Sequence, residues 1–336
     1  MKTSVLFVVL SGLLCTAEAL LDPMFAGIGA VGAAVVGSFW YNRGSGNKCY
    51  ERNPDNANAM ARNLTKTLSE GIFGQHLVKK MVVRSIGSHL RVEKPAKALV
   101  LSFHGLTGVG KNYVAKMIAN AMYPMEGMNS PHVNLFISTL HFPIASQGPA
   151  YKVIVQEWIQ SSITLCPNSL FIFDEIDKMP PDVIDGIKPF IDFHENVGGR
   201  NYRKAIFIFL SNTGGKQITN FVHELWLYGA KRDDISYEDL EGLVTMGAFN
   251  EDGGLKAANI IQQNLVDHYI PFLPLERRHV RMCIDKELRD RRASISEEEK
   301  DDILNSLQYW PDKKRGIYSS SGCKRIGKKL DLFLMD

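Results

Sequence analysis

One short segment constrains the fold of this chain more than any other: residues 105–111 read GLTGVGK, the pattern G-x-x-x-x-G-K. The apolar run Ala98–Phe103 precedes it, and Tyr113–Met122 follows it with a helical pattern. A glycine-rich loop between a strand and a helix lets backbone N–H groups surround a phosphate, and the helix N-terminus adds a favourable dipole. Lys111 is then placed to reach the β- and γ-phosphates. The segment therefore predicts a nucleotide-binding loop.

Apolar runs that alternate with helical segments predict the fold class. The runs are Leu99–Phe103, Val133–Ile137, Leu170–Phe173, Ile206–Leu210 and Val280–Ile284. The connections are long enough for crossover helices, which predicts an α/β protein with a parallel five-stranded sheet flanked by helices. After the last run, residues 296–299 read SEEE, the form of a helix capping box, and predict a small helical C-terminal domain.

Polar residues follow the third and fourth apolar runs. Asp174 and Glu175 come after the third run and Asn212 after the fourth. In P-loop ATPases, one carboxylate at this position holds the water shell of Mg²⁺ and the next polarises the attacking water. We therefore predict Asp174 as the metal-side residue, Glu175 as the catalytic base and Asn212 as the residue that orients this water. Asn112 replaces the usual Ser or Thr, so its amide oxygen is predicted to contact the metal or its water.

The N-terminus has the features of a secretory signal peptide. Lys2 gives a positive start, residues 5–14 are mostly apolar, and residues 17–19 read AEA, a small-x-small cleavage pattern. Residues 23–42 then lack any charge, and their Gly- and Ala-rich stretch ends in three aromatics. Such a weakly apolar segment is predicted to lie in one leaflet of a membrane rather than to cross it. Asn63 begins an N-glycosylation sequon, which is compatible with lumenal exposure.

Composition excludes several classes of protein. The chain is 45% hydrophobic and 22% charged, which excludes a disordered or collagen-like chain. Its 39 Lys and Arg against 36 Asp and Glu leave a net charge of +3, too balanced to indicate nucleic acid as a partner. A mean hydropathy of −0.10 excludes a protein with many membrane spans.

The phosphate loop, the Asp-Glu pair and the asparagine after the fourth run together resemble the AAA+ ATPases. Finer motifs resemble one group of them, the torsins: the loop followed by asparagine (105–112), GQH (74–76), LHFP (140–143) and GCK (322–324). The similarity runs from about residue 53 to the end. Torsins are AAA+ proteins of the endoplasmic reticulum lumen and nuclear envelope. The resemblance therefore implies that location, with ATP and Mg²⁺ as ligands.

The resemblance also assigns residues to the site. Lys324 would be the second sensor, which reaches ATP from the helical lid, and Asn212 the first sensor. Ile72–Gln75 would line the adenine pocket. The nucleotide-binding residues are therefore expected to be Gly105, Thr107, Gly108, Val109, Gly110, Lys111, Asn112, Tyr113 and Lys324.

Four cysteines remain once the signal peptide is removed: Cys49, Cys166, Cys283 and Cys323. An even number in a secreted chain predicts two disulfides, for which three pairings are possible. The torsin resemblance implies Cys49–Cys166 and Cys283–Cys323, with Cys283 in the last predicted strand. A bridge beside Lys324 is either a static brace or a link between redox state and ATP binding, and both interpretations stay open.

No arginine finger stands where Clp-type AAA+ proteins place one, before the last predicted strand. The register puts His279 there, beside Arg277 and Arg278. Torsins lack the finger and borrow one from the lumenal domain of a transmembrane activator, so the resemblance implies such a partner and a mixed ring or self-assembly. Between Thr139 and Tyr151 there is also no aromatic-hydrophobic-Gly pore loop of the kind that threading unfoldases carry.

The predicted layout is a signal peptide (1–19), a membrane-associating segment (20–41), a linker (42–54), a large α/β domain (55–280) and a helical lid (281–336). The predicted function is slow ATP hydrolysis in the endoplasmic reticulum and perinuclear lumen, at a membrane surface, with a chaperone or membrane-remodelling role. Two alternatives stay open. One is an autonomous homo-hexameric unfoldase with Arg277 or Arg278 as finger. The other is a nucleotide-gated structural assembly that shapes membranes.

Overall fold

The computed structural model describes residues 48–250, 264–311 and 316–334. The predicted signal peptide, the membrane-associating segment and residues 42–47 of the linker lie outside these residues. The chain from Cys49 onward belongs to one structural unit. Among the described helices, none combines the length and apolar character needed to cross a bilayer.

Helices and strands alternate along most of the chain. The helices are α1 (Pro54–Gly71), α2 (His76–Arg91), α3 (Lys111–Met122), α4 (Ser138–His141), α5 (Gly148–Leu165), α6 (Pro181–Ile191), α7 (Gly215–Leu227), α8 (Glu238–Asn250), α9 (Arg277–Arg291), α10 (Glu297–Asn305) and α11 (Ile326–Asp331). The strands are β1 (Leu99–His104), β2 (Val133–Ile137), β3 (Leu170–Asp174), β4 (Ile206–Ser211), β5 (His268–Pro271), β6 (Tyr309–Trp310) and β7 (Tyr318–Ser319).

Five strands form the predicted parallel sheet, in the order β2-β3-β4-β1-β5. β1 and β4 lie side by side, with Leu99 opposite Ile206 and His104 opposite Ser211. Both strands are buried at every position, because helices cover both faces of the sheet and the strands are almost wholly apolar. The carboxyl ends of β1, β3 and β4 therefore meet at one edge, which is where ligands bind in open α/β sheets.

The two faces of the sheet have different cores. Helices α1, α2 and α3 pack on one face against Leu170, Ile172 and other aliphatic side chains. Helices α5 to α8 pack on the other face, where phenylalanines of β3 and β4 are prominent. Phe171 and Phe207 stack there with ring centroids 4.8 Å apart. The alternation of side chains along each strand separates the two cores.

The C-terminal residues form a small helical lid with its own core. Buried aliphatic side chains of α9, α10 and α11 make up this core, among them Val280, Ile284 and Leu330. The predicted capping box at the start of α10 is confirmed, since Ser296 and Glu299 each bind the other's backbone N–H. The lid boundary predicted at residue 281 falls within α9, which begins at Arg277.

The predicted fifth strand is wrong. Val280–Ile284 lies in α9, and the fifth strand is His268–Pro271 instead. The apolar side chains of α9 recur at 280, 284 and 288, which is helical spacing, and Arg281 interrupts the run. Consequently Cys283 lies on a helix rather than on a strand, and residues 272–279 follow the last strand of the sheet rather than precede it.

Both disulfides that the resemblance implies are present in the structure. Cys49 bonds to Cys166 and Cys283 to Cys323, with Cα–Cα distances of 5.4 and 6.2 Å. Next to the first bridge, the half-buried Arg52 side chain donates to Asn168 Oδ1 at 2.7 Å and to three backbone carbonyl groups. The segment before α1 is thus fastened near the amino ends of β3 and β4, at the edge of the sheet opposite the carboxyl ends.

Candidate nucleotide site

A cavity of about 570 Å³ lies at the carboxyl edge of the sheet, between the large domain and the lid. The phosphate loop, the ends of β3 and β4, the end of α1 and the lid together line it. The lining includes Thr107, Gly108, Val109, Gly110, Lys111, Asn112, Tyr113, Asp174, Glu175, Asn212 and Lys324. These are the predicted catalytic, metal and nucleotide residues except Gly105, so the structure brings eleven of the twelve together.

Gly105 lies at the start of the loop, outside this lining. Its φ is 152°, and a Cβ there would come within 2.7 Å of the Phe272 carbonyl oxygen. Glycine is therefore needed so that the loop can leave β1 close to the backbone that follows β5.

Lys111 is buried at the first turn of α3. Its Nζ donates to the carbonyl oxygens of Gly105 and Leu106, at 2.6 and 3.0 Å, and to Asn212 Oδ1 at 3.0 Å. Burial lowers the pKa of Lys111 to about 8, although the carboxylates of Asp177 and Asp174 oppose this. The ammonium group is therefore held by neutral oxygens at the mouth of the phosphate loop, where it can exchange them for phosphate oxygens.

The lid touches the phosphate loop directly through the backbone. Cys323 N–H donates to the Gly108 carbonyl oxygen at 3.1 Å. A Cβ on Gly108 would lie 1.9 Å from the Ser321 oxygen, and one on Gly322 would lie 2.1 Å from the Gly108 oxygen. Both residues have positive φ, 79° and 52°. Only glycine allows this approach, so the GCK motif and the phosphate loop fit each other sterically.

Asn112 and Asp174 meet at the metal side of the cavity. Asn112 Nδ2 donates to Asp174 Oδ2 at 2.5 Å. Burial raises the pKa of Asp174 above its ordinary value, while hydrogen bonds from Asn112 and from the Glu175 N–H oppose the shift. With its NH₂ group turned to the carboxylate, Asn112 keeps its amide oxygen for another partner. A carboxylate and an amide oxygen beside a phosphate site are donors that suit Mg²⁺.

Glu175 lies on a strained turn directly after β3, with φ 57° and ψ 43°. Its carboxylate accepts a hydrogen bond from Lys178 Nζ at 2.6 Å and one from Thr139 Oγ1 at 3.1 Å. These bonds, Lys178 first, hold the pKa of Glu175 below its ordinary value. The group is therefore an ionised carboxylate at neutral pH, as a general base must be.

Asn212 lies between the phosphate loop and a buried polar network. Its side chain receives Lys111, and its backbone N–H donates to Asp177 Oδ1 at 3.2 Å. Behind it, the fully buried His104 bonds Ser102 Oγ at 2.7 Å and the Thr213 carbonyl oxygen at 3.0 Å. Burial lowers the pKa of His104 to about 4, so the imidazole is neutral. The network fixes the end of β4 against β1.

The lid contributes charged groups and sulfur atoms to the cavity. Lys324 lines it and is exposed, and the Cys283–Cys323 bridge lies on the same wall. From α9, Lys286 lies 5.9 Å from the centroid of the Tyr113 ring and 2.5 Å from Asp290 Oδ2.

The expected adenine-pocket segment divides into two parts. Ile72 and Phe73 line the cavity, whereas Gly74 and Gln75 do not. Gln75 is buried and holds the backbone of Val109 and Leu273 with three hydrogen bonds. Gln75 is therefore a structural support for the phosphate loop.

Sequence reasoning missed several residues of the site. Thr139 and Lys178 bind Glu175, Asp177 binds Asn212, and Lys286 and Asp290 line the cavity. Asp177 and Lys178 have a local signal, because they follow the Asp-Glu pair on one short turn. The lid residues have none, since only tertiary packing brings α9 to the phosphate loop.

The two candidate finger arginines lie on α9 and bind groups of the lid. Arg277 donates to Asn305 Oδ1 at 2.6 Å, and Arg278 pairs with Glu276 at 2.8 Å. His279 is buried and accepts the Glu276 N–H at 3.2 Å as part of a capping box. Within the described part of the chain, no arginine lines the cavity.

Comparisons with known proteins agree on one family. A family model described as Torsin matches residues 47–173, and one described as Torsin-1A, C-terminal domain matches residues 275–333. A Torsin-like protein of Caenorhabditis elegans is 42% identical over 289 residues, which cover 84% of this chain and 79% of that protein. A Torsin-like protein of Drosophila melanogaster is 38% identical over 320 residues, 92% of this chain and 91% of that one.

Solved structures with the same fold include Hsp104 chains of S. cerevisiae. The Hsp104–ADP complex superposes with a TM-score of 0.56 at 19% identity and covers 83% of this chain. An Hsp104–casein complex gives 0.57 at 18% identity, again over 83% of this chain. This chain spans about half the length of those chains, 48% in both cases. The likeness shows the AAA+ fold, a parallel sheet with a C-terminal helical domain.

Proposed function

This chain belongs to the torsin family of AAA+ ATPases, and from that premise we propose that it binds Mg-ATP in the cavity described above and hydrolyses it slowly on its own. We further propose that the lumenal domain of a transmembrane activator supplies the missing arginine in a mixed ring. The observation that carries the proposal is the lining of the cavity. It contains three lysines and the acidic pair, but no arginine among the described residues.

The residues of the site divide the work. The phosphate loop and Lys111 bind the triphosphate, and Lys324 reaches it from the lid. Asp174 and Asn112 would hold Mg²⁺, which neutralises phosphate charge when it is bound. Glu175 accepts a proton from the attacking water, which Asn212 orients. For this, the Glu175 carboxylate must exchange its bond with Lys178 or Thr139 for the water.

The need for an activator follows from the rate acceleration that an arginine finger provides. An arginine finger stabilises charge on the transferred phosphoryl group and is worth about 10³–10⁵ in rate. Arg277 and Arg278 bind groups of the lid, and the buried His279 stands at the position expected for the finger. We therefore propose that this chain alone lacks that acceleration.

The proposed location is the lumen of the endoplasmic reticulum and the perinuclear space, at the membrane. Two disulfides support an oxidising compartment, because such bonds are rare in the cytosol. The predicted signal peptide and the apolar residues 20–41 support entry into that compartment and attachment to its membrane.

The test is steady-state ATP hydrolysis by the mature chain, alone and with the lumenal domain of a candidate activator. We expect very slow turnover alone and stimulation of about 10³-fold or more with the partner. Glu175→Gln should bind ATP and trap the activator complex without turnover, while the exposed Glu224→Gln serves as the matched control. Rapid turnover by the isolated chain, lost in Arg278→Ala, would instead support the autonomous unfoldase. Normal turnover by Glu175→Gln would refute the assignment of the base.

A further inference from the structure

We propose that the outer surface of α1 and α2 binds the anionic headgroups of a membrane. The two helices contain six Lys and Arg residues, two on α1 and four on α2, against only Asp55 and Glu70 at the ends of α1. Five of the six are exposed and define the basic face: Arg62, Lys66, Lys80, Arg84 and Arg91. This inference goes beyond the ATPase site, which lies at the edge of the sheet and shares none of these residues.

The charges of the basic face are not neutralised by neighbouring carboxylates. None of its five side chains forms an ion pair with another described residue. On the lid, by contrast, four cations each lie within 2.9 Å of a carboxylate oxygen: Arg281, Lys286, Arg291 and Lys300. Cations that cluster without counter-charges create a positive potential that attracts anions.

The basic face also contains a shallow depression that can receive a phosphate group. Its volume is about 380 Å³, and its lining consists of Asn58, Ala61, Arg62, Thr65, Lys66 and Arg91, three cations and no carboxylate. The Arg91 guanidinium is held there by Asn58 Oδ1, which accepts from Nε at 3.0 Å and from Nη2 at 2.7 Å. One terminal nitrogen of the guanidinium thus stays available beside the other two cations.

A lipid surface fits this face better than a second copy of the chain, because two identical basic faces repel each other. The predicted membrane-associating segment ends at residue 41, and α1 begins at Pro54. The 12 residues between them (42–53) span at most about 40 Å. Cys49 and Arg52 fasten the end of this linker to the body. Such a tether keeps a membrane that holds residues 20–41 within reach, which strengthens a weak electrostatic contact.

The test measures binding of the full mature chain to vesicles of phosphatidylcholine alone and of phosphatidylcholine with about one third phosphatidylserine. Each arm is run with the native Asn63 and again with Asn63→Gln, because a glycan at this sequon would lie beside Arg62, and a gain seen only without the glycan would overturn the proposal for the natural chain. We expect tighter binding to the anionic vesicles, and this gain should shrink as salt rises from about 0.1 M to about 1 M, since the Debye length falls from about 10 to about 3 Å. The double variant Arg62→Glu/Lys66→Glu should lower the gain at least about 25-fold, because each positive charge that is lost weakens binding about fivefold.

The matched control is Lys216→Glu/Lys231→Glu, which changes the net charge equally. Both lysines are exposed, at α7 and the loop after it, on the opposite face of the sheet. We expect this control to keep the gain. Equal loss in both variants, or equal binding of the wild type to both vesicles, would overturn the proposal. The proposal would also be overturned if Arg62→Glu/Lys66→Glu bound vesicles normally but lost stimulation by the activator, because the face would then be a protein interface. Binding to neutral vesicles reports on the apolar segment, and the ATPase rate reports on the proposed function. A failure of either can therefore be told apart from a failure of this proposal.

Discussion

At the scale of single residues, the site is held by polar contacts that form before any nucleotide arrives. Lys111 is bonded to Asn212, and Asn212 in turn to Asp177. Asn112 is bonded to Asp174 in the same way. Groups held in place by neighbours lose little entropy when substrate binds, which favours both affinity and correct geometry. The cost is that each of these bonds must be exchanged for one to ATP or water.

The titration of Lys111 gives a prediction at this scale. Its pKa is about 8, and an amine is charged below its pKa, so affinity for the anionic triphosphate should fall as the pH rises through 8. If only the charged form binds, ATP binds about tenfold more weakly at pH 9 than at pH 7. The dissociation constant is measured by equilibrium dialysis in the Glu175→Gln chain, which prevents turnover. Lys111→Arg stays charged over this range and should remove the dependence. A wild-type affinity that is unchanged at pH 9 would show that this amine does not carry the binding.

At the scale of the element, the lid reaches the loop through two glycines. Gly322→Ala should weaken ATP binding by about tenfold or more, equivalent to about 1.4 kcal/mol, because its Cβ would lie 2.1 Å from the Gly108 oxygen and push the lid away. Gly198→Ala is the matched control. It has a similar φ, 57° against 52°, but meets nothing within 4 Å. Dialysis of labelled ATP against both variants separates the contact from backbone strain. Equal affinity in the two variants would mean that this approach does not matter for the nucleotide.

The elements also show what a sequence reveals and what it hides. β1, β3 and β4 are predictable because they are apolar at nearly every position, and the motif residues at their ends must then meet at one edge. β5 is four residues long, with His268 at its start and Pro271 at its end, so it gives almost no pattern. Val280–Ile284 gives a misleading one, because five residues do not distinguish a buried strand from one turn of a helix.

The site follows the same division. Residues that act from strand ends or from the phosphate loop could be placed from spacing alone. Thr139 reaches Glu175, and Lys286 reaches the cavity, only because α4 and α9 pack beside the site, and no local sequence pattern predicts that packing. The basic face was overlooked for another reason: the whole chain is nearly neutral, and the five cations form one surface only when α1 and α2 pack side by side.

At the scale of the whole molecule, the covalent and ionic features are distributed between opposite edges of the sheet. The Cys49–Cys166 bridge and Arg52 lie near its amino edge, whereas the Cys283–Cys323 bridge lines the nucleotide cavity at its carboxyl edge. The lid has a small core of its own, and a core of that size contributes little stability. A bridge between α9 and the GCK segment therefore stabilises the part that covers ATP, by about 2–4 kcal/mol in typical cases.

Three histidines with strongly lowered pKa values predict that the folded molecule loses stability in mild acid. Burial lowers the pKa of His104 to about 4 and the pKa values of His89 and His279 to about 3, all below the ordinary value of 6.5. Between pH 6.5 and 4 the unfolded chain therefore binds more protons than the native one, so stability is complete above pH 6.5 and falls with pH below it. Each histidine contributes up to about 1.4 kcal/mol per pH unit, so the three together give about 5–6 kcal/mol from pH 6 to 4.5.

Urea unfolding of the full mature chain at a series of pH values measures this slope. His279→Gln should lower this slope by about a third, because glutamine at the third helical position can form the same capping bond without titrating. His194→Gln is the control, since this side chain is 60% exposed. A loss of about 5–6 kcal/mol is a large part of the 5–15 kcal/mol that holds a typical domain together. Unchanged stability between pH 6.5 and 4.5 would mean that the three imidazoles gain protons in the native state without cost, and that the contacts of His104 behind the phosphate loop are not rigid.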